Sequence, residues 1–175
     1  MKKVLEIPEN VNIELKDRKV VVNGPKGQIQ RDFNDPRYNR SVTIEREGSA
    51  IVIQSPSEKR KIKAMVGTIN AHINNMCKGV VEGVEYRMKI FYSHFPITVE
   101  AKGGKVLIKN FLGEKSIRIG KIVGKTKVDV KKDEVILTGI NIEEVGLTAS
   151  NIERACRLSN RDRRIFFDGI YLVVN

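Results

Sequence analysis

The sequence predicts an α+β protein made of two tandem similar domains from an internal duplication, each a mostly antiparallel sheet covered by one helix. Three observations lead there. A repeat runs through most of the 175 residues, each half carries short segments of period-two alternation, and each contains one longer apolar stripe of helical spacing.

The repeat fixes the organisation first. VNIELKDRKVVVNGPKGQ, from Val11, aligns without gaps on ITVEAKGGKVLIKNFLGE, from Ile97. Glu14 falls on Glu100, Lys16 on Lys102, Lys19 on Lys105, Val20 on Val106 and Gly27 on Gly113, while Val11 and Ile13 face Ile97 and Val99. VTIEREGSAIVIQS, from Val42, resembles VDVKKDEVILTG, from Val128; with a few gaps, Gly67 meets Gly146, Ile73 meets Ile152 and Cys77 meets Cys156. The domains are therefore expected at residues 1–82 and 83–175.

In the first half, strands are expected at residues 11–15, 19–23, 28–33, 42–46 and 50–54. The NGPKGQ loop has neither Walker spacing nor a following helix, so it reads as a turn in which Gly24 or Gly27 takes positive φ. A helix follows, with Ile62, Met65, Val66, Ile69, Ile73 and Met76 on one stripe, Ser57 as N-cap and Gly79 as the stop. An alternating strand, VEYRMKIFY, then leads into the second half. There Asn141 with Glu144 resembles a capping box opening a helix whose stripe is Ile142, Val145, Ala149, Ile152 and Cys156. A last strand is expected at residues 170–174, after an Asp168-Gly169 turn. Both cysteines lie on or beside a core-facing stripe, which favours buried packing over reactivity.

Charge is the unusual property. The chain has 32 Lys and Arg against 21 Asp and Glu, a net charge of +11 and a pI near 9.7. Such a surplus points to a polyanionic partner. No apolar run reaches the roughly 18 residues of a membrane span, and MKKVLEIPEN lacks the apolar core of a signal peptide. With only two cysteines as well, the expected setting is cytoplasmic, with no membrane partner.

The surplus is segregated. Between Ala101 and Lys127, Lys102, Lys105, Lys109, Lys115, Arg118, Lys121, Lys125 and Lys127 stand against Glu114 alone. The following stretch to Glu153 is acidic, and from Arg154 onward five arginines face only Asp162 and Asp168. Single exposed lysines ordinarily keep a sheet soluble, but two basic blocks flanking an acidic one suit a phosphate-lined surface. The candidate contacts are Lys105, Lys109, Phe111, Lys115, Arg118, Lys121, Lys125, Arg157, Arg161, Arg163 and Arg164. Phe111 is included as a loop aromatic able to stack on a base, although a loop phenylalanine is more often a hairpin's own packing residue. Asp162 and Asp168 are expected to neutralise and orient the arginines. Lys59, Arg60 and Lys61 are secondary candidates, because bases at a helix N-terminus oppose the macrodipole and so are not there for helix stability, although a solvated helix face accounts for them equally well.

Catalysis finds little support. His72 lies among core residues of the first helix, His94 sits at a strand end before proline with no candidate nucleophile nearby in sequence, and the dipole accounts for Glu143 and Glu144. No metal, cofactor or small-molecule substrate is expected, and a binding protein is the better reading.

HFPI (residues 94–97), NFLGEK (residues 110–115) and the pattern Arg164, Phe166, Asp168, Gly169, Ile170, Tyr171, with GPKG in the first turn, give the chain a family resemblance. Over nearly its whole length it resembles the archaeal and eukaryotic branch of large-subunit ribosomal protein L-six, whose eukaryotic counterpart is L-nine. It departs at Arg154, where that family leads one to expect glutamine. The resemblance implies a non-catalytic protein bound to large-subunit rRNA near the sarcin–ricin loop and stalk base. It also implies neighbouring large-subunit proteins as partners, with translational GTPases passing nearby. A free RNA chaperone or regulator is the alternative, and a small nuclease or transferase with a dispersed site a third.

Overall fold

The computed structural model describes residues 2–158, 162 and 164–173. The chain separates into two units, residues 1–83 and 84–175. In the first, β1 (Lys2–Glu6), β2 (Asn12–Lys16), β3 (Lys19–Gly24), β4 (Gly27–Asp32), β5 (Thr43–Glu47) and β6 (Ala50–Gln54) precede α1 (Arg60–Val81). They form two antiparallel three-stranded sheets, in the orders β2-β3-β4 and β1-β6-β5. Alternation drives the first of these: Ile13, Val20, Val22 and Ile29 point inward and are buried, while their neighbours along each strand face solvent. The middle strand of the second, β6, buries Ile51, Val52 and Ile53 in succession, so both of its faces are covered. Val66, Ile69, Ile73, Met76, Cys77 and Val80 make the buried stripe of α1.

Local details differ from the sequence expectations. β1 was not foreseen; its charged letters hide an edge strand that pairs with β6 from Lys2↔Gln54 to Glu6↔Ala50. The helix starts at Arg60 with Lys59 in the N-cap position and no side-chain cap; Ser57 instead accepts the Lys59 N–H at 3.4 Å. Gly79 does not stop α1. It is buried within the helix, which closes two residues later. The N–H groups of Glu82 and Gly83 donate to Lys78 and Gly79, and Gly83 takes φ 76°, the left-handed residue that ends many helices. Of the two turn glycines only Gly27 has positive φ, 141°. Gly24 is needed for proximity, since a Cβ there would stand 2.6 Å from Val80 Cγ2.

The second unit contains β7 (Val84–Phe91), β8 (Thr98–Lys102), β9 (Lys105–Lys109), a 3-10 turn (Phe111–Gly113), β10 (Arg118–Lys121), β11 (Lys127–Val130), β12 (Glu134–Gly139), α2 (Ile142–Ala155) and β13 (Gly169–Val173). Its sheets run β10-β9-β8 and β11-β12-β7-β13. Matching β7–β12 to β1–β6 in order reproduces both sheet orders of the first unit, and α2 takes the place of α1. The duplication read from the letters is thus a duplication of topology. β13 is the addition, pairing with the edge of β7 from Gly169↔Phe91 to Val173↔Arg87.

The core of this unit gathers Met88, Ile90, Val99, Val106, Ile108, Leu137, Val145, Ile152 and Ile170 together with the ring of Phe111. Burying each such side chain contributes about 1.5–3 kcal/mol. Asn141 caps α2, accepting the Glu143 N–H at 3.1 Å. Glu144 meets the Asn141 side-chain amide rather than its backbone, and its other oxygen accepts the Lys125 N–H at 3.0 Å. The expected box is therefore half formed, and Glu144 also ties down the loop before β11. Both cysteines are buried; desolvation pushes the Cys77 thiol up and that of Cys156 to about 11.

Candidate nucleic-acid interface

The three-stranded sheet of the second unit presents two unlike faces. Val99, Val106, Ile108 and Gly120 point to the core, so by alternation Glu100, Lys102, Lys105, Leu107, Lys109, Ile119 and Lys121 lie on the other face. At one end of that face the register sets Lys102 opposite Lys105, and Lys105 opposite Lys121. All three are exposed. Directly opposed like charges destabilise a sheet, and here three stand in one row. The tip beside them is Gly103-Gly104, at φ 58° and 72°, and a Cβ at either glycine would meet no atom within 4 Å. The first unit keeps the lysine pair at the matching hairpin, Lys16↔Lys19, but its third strand supplies Asp32 opposite Lys19. One register position therefore separates a mixed row from a wholly basic one. Lys102 was missing from the candidate set, although its alignment with Lys16 marked it.

The remaining lysines divide. Lys109 Nζ donates to Glu100 Oε1 at 2.7 Å, an ion pair on the same face. Lys115, Lys125 and Arg157 are exposed. Lys59, Arg60 and Lys61 are exposed at the start of α1, whose first turn has no acid. Arg164 is exposed and forks onto Asp162 through Nε and Nη2, which holds that carboxyl below its ordinary value and raises the arginine. Arg161 and Arg163 lie outside the described residues.

Two candidates must be corrected. Phe111 is wholly buried, so its ring belongs to the core and is not available to a base. Arg118 lies over that ring, 4.2 Å from its centroid. Its Nε and Nη2 grip Glu114 at 2.9 and 2.6 Å, and its Nη1 donates to the carbonyls of Ala155 and Arg157 at 3.1 and 3.0 Å. Each nitrogen of the guanidinium has a partner within the protein. Arg118 is thus a clamp joining β10, the loop before it and the C-terminal end of α2, and not an open phosphate ligand.

Asp168 is corrected too. It is wholly buried and accepts both the N–H and the hydroxyl of Ser93, at 3.2 and 2.8 Å, while Arg164 turns to Asp162 instead. It therefore latches the approach to β13 onto the end of β7. Around that latch three sequence motifs meet: the His94 and Phe166 rings lie 6.0 Å apart, the Asn110 side chain donates to the Pro96 carbonyl at 3.1 Å, and the Phe95 ring rests against Gly113. Ser93, His94 and Asp168 superficially resemble a hydrolytic triad. The geometry argues otherwise, because imidazole and carboxylate both bond the same hydroxyl, leaving the carboxylate no hold on the imidazole. Among the described residues, no three His, Cys, Asp or Glu side chains cluster as a metal site, and no helix is long and apolar enough to cross a membrane.

Comparison with known proteins agrees with the twofold architecture. The family model described as ribosomal protein L6 matches twice, over residues 7–83 and 95–169. The large ribosomal subunit protein uL6 of Staphylothermus marinus is 52% identical over 171 residues, covering 96% of this chain and 91% of that protein. The protein of the same name from Methanothrix thermoacetophila is 50% identical over 169 residues, covering 97% and 94%. That of Aeropyrum pernix is 46% identical over 168 residues, covering 96% and 91%.

Proposed function

The chain belongs to the ribosomal protein L6 family, and from that premise we propose that it is a structural constituent of the large ribosomal subunit, working by binding large-subunit rRNA. It is a ribosomal protein and not an enzyme, and its place is the ribosome in the cytoplasm. Its finer address follows from the family resemblance: rRNA near the sarcin–ricin loop and stalk base, among other large-subunit proteins, where it supports the surface that translational GTPases use.

The observation that carries the reading is the row Lys102–Lys105–Lys121 beside a bare Gly-Gly tip. Phosphates relieve the mutual repulsion of three opposed ammonium groups, and glycines without side chains let a nucleic-acid backbone approach the tip closely. The second unit is accordingly the main rRNA-binding domain, with Lys115, Lys125, Arg157 and Arg164 as further contacts. Arg164 exchanges an exposed partner of little value for phosphate oxygens that its fork fits bidentately. Arg161 and Arg163, beside Arg164 in the sequence, are proposed contacts of the same kind. The Lys59-Arg60-Lys61 start of α1 is a secondary contact.

The test is binding of the full chain to a large-subunit rRNA fragment across a salt series. Replacing Lys102, Lys105 and Lys121 by alanine should weaken binding and lower the slope of log K against log salt by roughly 2–3, since each lost phosphate contact removes about 0.7–0.9. The matching change of Lys16 and Lys19 should cost less. A flat salt response of the parent would assign the charge to solubility instead. Stable retention on large subunits through a salt wash separates the ribosomal role from that of a free RNA chaperone.

A further inference from the structure

We infer that Phe95 is a stacking platform for one unpaired RNA base. The inference deepens the rRNA-binding reading and rests on it. Sequence reasoning had placed an aromatic contact in the NFLGEK loop, and the structure moves it: the loop phenylalanine is buried, and what the loop offers at the surface is a seat for a different ring.

That seat is Gly113. It takes φ 75°, and a Cβ built on it would lie 3.3, 3.4 and 3.5 Å from Cε2, Cζ and Cδ2 of Phe95. Near-equal distances to three consecutive ring atoms mean that the ring presents its face to the glycine, because an edge-on ring would bring one atom well ahead of its neighbours. With one face laid on bare backbone, Phe95 is still 47% exposed, so the opposite face meets solvent. The chain on either side of the ring is held. Asn110, itself left-handed at φ 57°, ties the loop to the Pro96 carbonyl, and Asp168 fixes Ser93. A flat aromatic face fixed in orientation has already lost the freedom that stacking would cost it.

The charge around the ring selects the occupant. Phe95 rests on the loop between Lys109 and Lys115, inside the basic block, and the only acid of that block, Glu114, is held by the fork of Arg118. An apolar protein side chain would gain nothing from these lysines, whereas a nucleotide supplies a π-face for the ring and a phosphate for the ammonium groups. Stacking tolerates any base, so the occupant is an unpaired nucleotide of unspecified sequence.

The experiment uses the full chain and a large-subunit rRNA fragment, comparing the parent with Phe95→Leu and Phe95→Tyr after melting curves confirm folding. Loss of one stack should weaken Phe95→Leu by roughly 5- to 100-fold, without changing the salt slope, because no cation is removed. Phe95→Tyr should bind close to the parent. Ultraviolet irradiation of the complex should also leave a nucleotide on the peptide containing residue 95 in the parent. A Phe95→Leu variant that binds like a binding-competent parent overturns the platform while leaving rRNA binding intact. Equal losses in both variants with no nucleotide on that peptide also overturn it, making Phe95 a packing residue. A parent that binds no rRNA at all overturns both readings.

Discussion

Replacing Arg118 with alanine should unfold the second unit more readily, not merely weaken its hold on RNA. The side chain is about three-quarters withdrawn from solvent, while its partner Glu114 is 37% exposed, so the ion pair itself is discounted to about 1 kcal/mol. Larger effects come from the rest of the clamp. The cation over Phe111 contributes about 1 kcal/mol in this half-wet setting. The two carbonyls held at the end of α2 lose a charged donor, worth about 1–2 kcal/mol more. Shared geometry makes these contributions non-additive, and a loss of about 3 kcal/mol is expected. With an m-value of about 1 kcal/mol/M for a unit this small, the urea midpoint should fall by roughly 3 M. Arg118→Lys keeps the charge but not the fork and should lose about half as much. Urea titrations of parent and variants decide the matter. An Arg118→Ala protein as stable as the parent yet poor in RNA binding would refute the clamp and restore Arg118 to the phosphate ligands.

Other expectations follow from the same geometry. Burial raises the Cys156 thiol to about 11 from an ordinary value near 9, so the unfolded chain releases that proton first. Its stabilising contribution is complete below about pH 9 and lost as pH rises toward 11, by roughly 2–3 kcal/mol. Melting temperatures of parent and Cys156→Ala measured from pH 8 to 11 should therefore converge. Gly113→Ala should cost about 1–2 kcal/mol for its left-handed backbone and push Phe95 off its seat; an unchanged melting curve would contradict the loop geometry. Asp168→Ala strips both bonds from Ser93 and should cost about 2–3 kcal/mol, whereas Asp168→Asn, which keeps an acceptor, should cost less. Equal losses would show that the buried charge, not the latch, matters.

What could be read from the letters was what repeats. Alternation and helical stripes are local, and the duplicated order of elements doubled every signal, so the Val20 and Val106 strands supported one another. Contacts between distant residues were not legible. Phe111 looked like an exposed ring because the core that buries it is remote in sequence, and Arg118 looked like a free cation because, beyond nearby Glu114, the carbonyls that complete its clamp belong to Ala155 and Arg157. Asp168 sits among arginines in the chain but bonds Ser93, 75 residues away. The stop of α1 was misplaced as well: Gly79 is buried within the helix, and the glycine with the left-handed backbone is Gly83. The basic row lay between these cases. Each lysine was visible, but only register shows that Lys102, Lys105 and Lys121 stand side by side.

The pairing of β13 with β7 also sets a timetable for synthesis. β7 opens the second unit, yet its edge stays uncovered until the segment carrying Asp168 and β13 has been made. At about 5–20 residues per second, the 75-residue interval between Ser93 and Asp168 takes roughly 4–15 seconds. During that time the nascent second unit has a bare strand edge, and the Ser93 latch that steadies the Phe95 shelf does not exist. In the first unit the corresponding edge of β1 awaits no later strand, and every partner is in hand by Gly83. One half of the protein is thus ready early, while the half proposed to grip rRNA can mature only late. A ribosome assembling around this chain would meet a folded first unit before a competent second one.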